Sequence, residues 1–478
     1  MKKIKGRNSN LIMPLLKVAF IVAAIAYYIY LPEKKVSQKV ASRPELSEQD
    51  LLALLPSMRI SPPKELTADE QKLAAFGSKL FFDAGFSANQ SVACATCHKP
   101  ELSFTDGLPT AVGLAKTAMN APAILNPADG HWFFWNGRAD SLEAQALGPV
   151  ENPKEHGFTR TRILHRLMTT HQKDYENLFG KLPIPLPDEH LPPPSSHPRK
   201  ISAEVAAYAL ATLGSPIFQK MVLSNARTKG EQPVETLRAI SAGIEEPLNA
   251  FDQLSDLQKQ QINTVFANFG RSIAAFERTI HSGDSAFDRF VDRVLTEKSL
   301  QKALNDEFGE EQLRGLKLFT GKGNCQNCHH GSRFTDEQFH NIGLMATSKD
   351  SVNLGRAQGL LIALDNHFNC VGPYFSELKD RESCRELQYL ETESAEAVSA
   401  FKTPTLRNLK DTAPYAHDGR FADLQSILLH YNRLGVPPEA GHIEESLLPL
   451  GFDPRDLKDL ELFLMSLNGT VTFYKGSL

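Results

Sequence analysis

Two five-residue stretches can do chemistry that the rest of the chain cannot: Cys94-Ala95-Thr96-Cys97-His98 and Cys325-Gln326-Asn327-Cys328-His329. Each reads C-x-x-C-H, the attachment signature of c-type haem. The two thiols add across the haem vinyl groups, and the histidine that follows is held under the iron as its proximal ligand. Cys94, Cys97, Cys325 and Cys328 are therefore the expected covalent attachments, and His98 and His329 the expected iron ligands. Zinc sites draw two cysteine pairs close together, whereas these pairs lie 231 positions apart (325 − 94). A redox dithiol has no use for a trailing histidine, still less twice. The sequence thus predicts two covalently bound haems c.

The segments around the two motifs repeat as well. Thr67-Ala68-Asp69-Glu70 is a capping box, and the helix it opens carries Leu73, Phe76 and Leu80 on one face. Gly77-Ser78-Lys79-Leu80-Phe81 leads into the first motif, and Phe104-Thr105-Asp106 follows it. Gly315-Leu316-Lys317-Leu318-Phe319 leads into the second, and Phe334-Thr335-Asp336 follows. An apolar helix entering a haem loop, duplicated, implies two cytochrome-c-like haem domains in tandem. Few stretches alternate with period two, so the fold class is mainly α. The boundary is expected near 300, giving an N-terminal haem domain over 66–300, closed by Asp284–Val291 with Phe287 and Phe290, and a C-terminal one over 301–478. Seven prolines make 181–200 an irregular insertion, and Ala203–Leu213 and Ile262–Ile280 read as helical.

Ahead of these domains Lys2, Lys3, Lys5 and Arg7 precede an apolar run. Residues 1–10 are expected to be a basic cytoplasmic tail, 11–31 a signal anchor and 32–65 a linker rich in Pro, Ser, Lys and Glu. No small-x-small cleavage site follows the run, and Tyr27, Tyr28 and Tyr30 suit a membrane interface. An uncleaved anchor is favoured over a cleaved signal peptide. The positive-inside rule then puts the body outside the cytoplasm, in the periplasm and tethered to the inner membrane. With 478 residues, 41% of them hydrophobic, and a net charge of −4, the chain is an ordinary globular protein with no electrostatic footprint for nucleic acid. Cys370 and Cys384, left over from the motifs, are spaced to form a disulfide; two free buried thiols are the alternative.

Over roughly 66–470 the chain resembles the bacterial dihaem cytochrome c peroxidases and their MauG-type relatives. Besides the haem motifs, the likeness rests on Phe134-Trp135-Asn136-Gly137-Arg138, Gln145-Ala146-Leu147-Gly148-Pro149-Val150, Ala286-Phe287-Asp288-Arg289-Phe290, Thr405-Leu406-Arg407-Asn408 and Thr412-Ala413-Pro414-Tyr415-Ala416-His417-Asp418-Gly419. The resemblance implies that the N-terminal haem meets hydrogen peroxide and the C-terminal haem collects electrons. Glu155, 20 residues after Trp135, matches the acid/base glutamate. Trp135 matches the tryptophan that relays electrons between the haems, with Trp132 a nearby competitor. The family's usual Asp after that tryptophan is Asn136 here, and its usual Met after the glutamate is His156, a secondary catalytic candidate.

Two further positions bear on reactivity. Many family peroxidases carry a histidine that blocks the N-terminal haem until the other is reduced, but Leu108–Asn126 contains none, leaving Met119 a minor substitute. The sixth ligand of the C-terminal haem, often Met, falls on Tyr431, 14 residues after His417, as in MauG-type proteins; Met345 is the alternative. A phenolate favours the oxidised states of iron. The family's Ca²⁺ ligands match Asn120 and the carbonyls of Thr412 and Pro414.

The leading expectation is a peroxidase reducing hydrogen peroxide with electrons from a small cytochrome c, a cupredoxin or a quinol-linked route. The alternative enzyme is MauG-like, using a high-valent dihaem state to oxidise Trp or Tyr of a partner protein. A non-enzymatic dihaem electron carrier or sensor is the third reading; it needs neither Glu155 nor an open iron position. The family often forms homodimers.

Overall fold

The computed structural model describes residues 44–183, 251, 254–344, 353–375, 382–389, 395–434 and 441–474. The chain is mainly helical, with only short two-stranded antiparallel sheets among the described residues. The expected anchor at 11–31, the proline-rich stretch from 184 to 200, Ala203–Leu213 and Met345 lie outside them. Among the described residues no helix is long and apolar enough to cross a membrane.

The repeated lead segments are repeated helices. Ala68–Phe82 starts at the predicted capping box, with Thr67 Oγ1 accepting from Glu70 N and Glu70 Oε2 accepting from Thr67 N at 2.8 Å. Its counterpart is Glu310–Thr320. Each crosses a second helix at a glycine: Gly77 lies against Ser272 of the helix Asp256–Glu277, and Gly315 against Asp459 of the helix Pro454–Met465. A Cβ at either glycine would run into the carbonyl oxygen of the facing residue. The equivalent small residue thus sets the closeness of the equivalent crossing in both halves.

Two hydrophobic cores result. The first gathers Phe76, Phe81, Phe104, Phe269 and Phe276 around the first haem motif. The second gathers Leu316, Phe319, Phe334, Leu428 and Phe463 around the other. Their membership corrects the expected boundaries. The span 32–65 is not all linker: Glu48–Met58 is a helix, and Leu51, Leu55 and Met58, one face at helical spacing, are buried in the second core. Phe287 and Phe290 do not close the first half. They sit on the helix Ala286–Glu297 and pack in the second core, where Phe290 stacks on Phe308 with centroids 4.0 Å apart. The strand His281–Gly283 marks the crossing, pairing with Thr470–Thr472 near the C-terminus, and Phe473 returns to the first core. Each core therefore borrows a terminal segment from beyond the other.

A buried ion pair ties two of the motif blocks together. Arg407 Nη1 lies 2.7 Å from Asp288 Oδ2 and Nη2 3.1 Å from Oδ1, while Nη2 also donates to Met58 O and Nε to Ser332 O. A buried guanidinium is tolerable only when its donors are spent in this way. Cys370 and Cys384 are joined in a disulfide, pinning the helix Glu382–Tyr389 beside Trp132.

Candidate active site

The two C-x-x-C-H loops have the same internal geometry. His98 Nδ1 meets Phe104 O at 3.0 Å, and His329 Nδ1 meets Phe334 O at 3.0 Å. Each ring is thereby turned by a main-chain carbonyl so that Nε2 remains as the ligating nitrogen. The phenylalanine in each Phe-Thr-Asp repeat supplies that carbonyl, which explains why the repeat trails the motif. One largely apolar cavity is lined by His98, Cys325, Cys328, His329, Trp135 and Tyr431. Burial pushes the Cys97 thiol up to about 11 and that of Cys325 to about 12. A redox dithiol needs a thiolate at neutral pH, so it fits poorly. An apolar cavity, adjacent thiols and oriented histidines fit covalent haem. One metal-like cluster occurs among the described residues: Cys328, Asp336 and His340 place ligand atoms within 4.8 Å of one another. Cys328 is spent in the haem motif, and His340 is held between Asp336 and Glu444 at 2.8 Å each, contacts that raise it.

Trp135 joins the halves. Its Nε1 donates to Asn120 O at 3.1 Å, and its own carbonyl accepts from Lys402 N at 2.7 Å. Asn120 and Lys402 each stand two residues before a proline, Pro122 and Pro404, whose carbonyl lies against His98 and His329 respectively. The indole is thus strung between equivalent segments of the two haem sites. Trp132 is placed differently. It is fully buried, its Nε1 donates to Glu386 Oε2 at 2.5 Å, and the Arg356 guanidinium stands 3.8 Å over its ring. The cation over that face and the carboxylate at Nε1 act in opposite directions on positive charge in the indole.

Glu155 lies apart from the shared cavity lining, beside the first motif. Leu114 N donates to Glu155 O and Ala115 N to Lys154 O, tying its loop to the segment whose Val112 O is 3.7 Å from Cys97 Sγ. Asn152 Nδ2 donates to Glu155 Oε1 at 2.7 Å, and Arg138 Nη2 stands 3.8 Å from the same oxygen. Arg138 in turn stacks on Phe134 at 3.5 Å. The Glu155 side chain keeps 21% of its surface accessible, yet burial raises its carboxyl above the ordinary range, more than Arg138 and Asn152 draw it down. Arg138 closes the Phe134–Arg138 block, but nothing in the sequence pairs it with Glu155, 17 positions on. His156 points away, with Nδ1 3.1 Å from Phe86 O, and burial pushes it down to about 4. Burial also raises Glu277, whose charge acts on Cys94 of the first motif, to about 8.

Tyr431 is on the helix Leu424–Arg433, whose Leu424 and Leu428 are buried and whose Ile427 and Tyr431 pack on the same core, as the periodicity predicts. Burial pushes its phenol up. Asn120, Thr412 and Pro414 all line the cavity, and Asn120 Nδ2 donates to Leu108 O at 2.7 Å. His417 stacks on Phe401 at 3.6 Å and its carbonyl accepts from Asn120 N. His131 is placed near Glu337 rather than over the first motif. The carbonyl of Met119 accepts from Ala111 N and Thr117 Oγ1 within the loop.

Residues 71–226 match the family model described as di-haem cytochrome c peroxidase. The methylamine utilization protein MauG of Methylorubrum extorquens is 30% identical over 431 residues, covering 88% of this chain and 86% of that protein. The cytochrome c551 peroxidase of Nitrosomonas europaea is 24% identical over 421 residues, covering 87% and 86%. In fold, the diheme peroxidase BthA from Burkholderia thailandensis superposes with a TM-score of 0.50 at 16% identity, over 90% of this chain and 93% of that one. The chain belongs to the di-haem cytochrome c peroxidase and MauG family. It is an oxidoreductase that carries two haems c, acts on peroxide, and works with a redox-protein donor or a protein substrate.

Proposed function

We propose that the chain reduces hydrogen peroxide to water at the site beside His98, with Glu155 as the acid/base and Trp135 as the relay. The net reaction consumes two electrons and two protons per peroxide and yields two waters. When bound, the haem over His98 supplies the centre at which the O–O bond is broken, and the haem over His329 the store from which electrons are drawn. The observation that carries the reading is the setting of Glu155: a carboxylate fixed beside the first haem motif by Asn152, with burial raising its carboxyl and Arg138, 3.8 Å from Oε1, drawing it down by less. Both contacts fall on Oε1, which leaves Oε2 to take a proton from peroxide and return it to the departing oxygen. No histidine occupies 108–126 to block that side, so the oxidised protein is ready to react. The electron donor is a small cytochrome c, a cupredoxin or a quinol-linked route.

One observation favours a second reading. Tyr431 beside the second motif, where a methionine would raise the potential, suits a MauG-like enzyme that stores oxidising equivalents and spends them on Trp or Tyr of a partner protein. A Ca²⁺ held by Asn120 Oδ1 and the carbonyls of Thr412 and Pro414 would fix the two haem sites relative to each other. The disulfide supports a periplasmic location, with residues 11–31 as anchor or cleaved signal. The test of the leading reading is Glu155→Gln in the haem-loaded protein. The peroxide reaction slows by about 100-fold or more, the usual contribution of a positioned acid/base; unchanged stopped-flow kinetics would remove Glu155 from the mechanism.

A further inference from the structure

An ionic cluster on the cavity wall beside the second motif has no part in the account above. Arg333 and Lys402 both line that wall. Their shared partner is Glu337: Lys402 Nζ lies 3.0 Å from Oε2, and Arg333 Nη1 2.8 Å from Oε1 without the alignment of a hydrogen bond. The three side chains are 16%, 12% and 9% exposed, in the order Lys402, Arg333, Glu337. Two cations therefore share one carboxylate. The adjacent Asp336 acts on Lys402 through space only, its Oδ2 being held by His340 Nε2 at 2.8 Å and its Oδ1 by Gln338 N at 2.9 Å.

Donors are in surplus as well as charge. An ammonium offers three N–H groups and a guanidinium five. Lys402 Nζ donates to Glu337, and Arg333 Nε is buried with no hydrogen-bond partner. Buried charge of this kind is costly unless acceptors complete it. The backbone does not let these side chains drift away: Thr405 Oγ1 donates to Arg333 O at 2.6 Å, and Lys402 N donates to Trp135 O. A haem is an apolar macrocycle with two carboxylates, and a cavity that takes one must send those carboxylates to water or pair them with cations. We propose that Arg333 and Lys402 bind a propionate carboxylate of the haem attached at Cys325 and Cys328. Lys402 then joins that haem's edge, through its side chain, to the backbone of Trp135, through its own N–H. It is a positioning residue for the relay. The inference rests on haem attachment at the second motif and not on what the enzyme does with peroxide.

The test uses the full haem-loaded chain carrying Lys402→Gln, Lys402→Arg or Glu337→Gln, with haem content per chain measured first. Potentiometry and resonance Raman spectra then read the two haems separately. Loss of a cation stabilises the oxidised form, so Lys402→Gln lowers the potential of the second haem, leaves that of the first in place, and shifts the propionate bending band. Lys402→Arg retains both signatures. Glu337→Gln, which removes the competing carboxylate, raises the potential and moves the band the other way. An unmoved potential and band in Lys402→Gln would overturn the proposal, as would potential shifts of the same sign in Lys402→Gln and Glu337→Gln, the mark of disturbed packing. Should Lys402→Gln fail to load haem, Glu337→Gln decides: a raised potential with a shifted band supports the contact, and no change rejects it.

Discussion

At Glu155 burial and charge pull in opposite directions, and burial wins. The sign of the pH dependence follows. The base form accepts the proton of peroxide, so the rate falls as pH drops through the carboxyl's folded value. That value lies above the ordinary 4.5, so the acid limb of kcat/KM lies above it too. Glu155→Gln abolishes the limb, and a limb that survives in the variant belongs to another group. At Tyr431 the prediction concerns potential. Tyr431→Met replaces a hard oxygen donor by a thioether, which favours the reduced iron, so the potential of the second haem rises. An unaltered potential and spectrum would show that Tyr431 is packing and not a ligand. Residues of this kind were legible where the signal is local: C-x-x-C-H spacing, and the helical face shared by Leu424, Leu428 and Tyr431. Arg138, Arg333, Lys402 and Glu337 were not, because a lone charge reads as a solvated one until the fold shows what it is buried beside.

Among the elements, the first lead helix was predicted from its capping box and apolar face, and the repeated segment at Gly315–Phe319 paired Ala68–Phe82 with Glu310–Thr320. What the pattern could not say is which helix each one meets. The answer is written in the glycines, since Gly77 and Gly315 are where a facing carbonyl comes too near for any side chain. Gly315→Ala forces the crossing apart and costs about 1–3 kcal/mol, the usual price of overpacking, seen as a lower denaturation midpoint. Gly148→Ala is the contrast. A Cβ there meets only Phe134 at 3.7 Å, within the helix Leu142–Glu151, so the midpoint holds or rises. A Gly315→Ala midpoint that holds or rises like that of Gly148→Ala, as helix propensity alone would have it, would show that the close crossing does not require the glycine. The helix Glu48–Met58 was hidden because its polar, proline-bearing surroundings outweighed three apolar positions at helical spacing.

For the molecule as a whole, the tandem of haem sites was legible and the sharing of ends was not. Pairing of His281–Gly283 with Thr470–Thr472, and burial of Leu51 and Leu55 among second-half side chains, join positions hundreds of residues apart that no local periodicity connects. The consequence is functional. Trp135, Asn120, Lys402 and His417 form one hydrogen-bonded seam between the two sites, so the relay proposed at Trp135 would be built into the packing of the halves. A peroxidase that is ready as isolated can be seen by mixing the oxidised, haem-loaded protein with hydrogen peroxide and then adding a reduced small cytochrome c, following both haem spectra and donor oxidation. The expected outcome is an immediate reaction with peroxide and rapid, sustained donor oxidation without prior reduction. An oxidised protein that stays inert to peroxide until pre-reduced would contradict it.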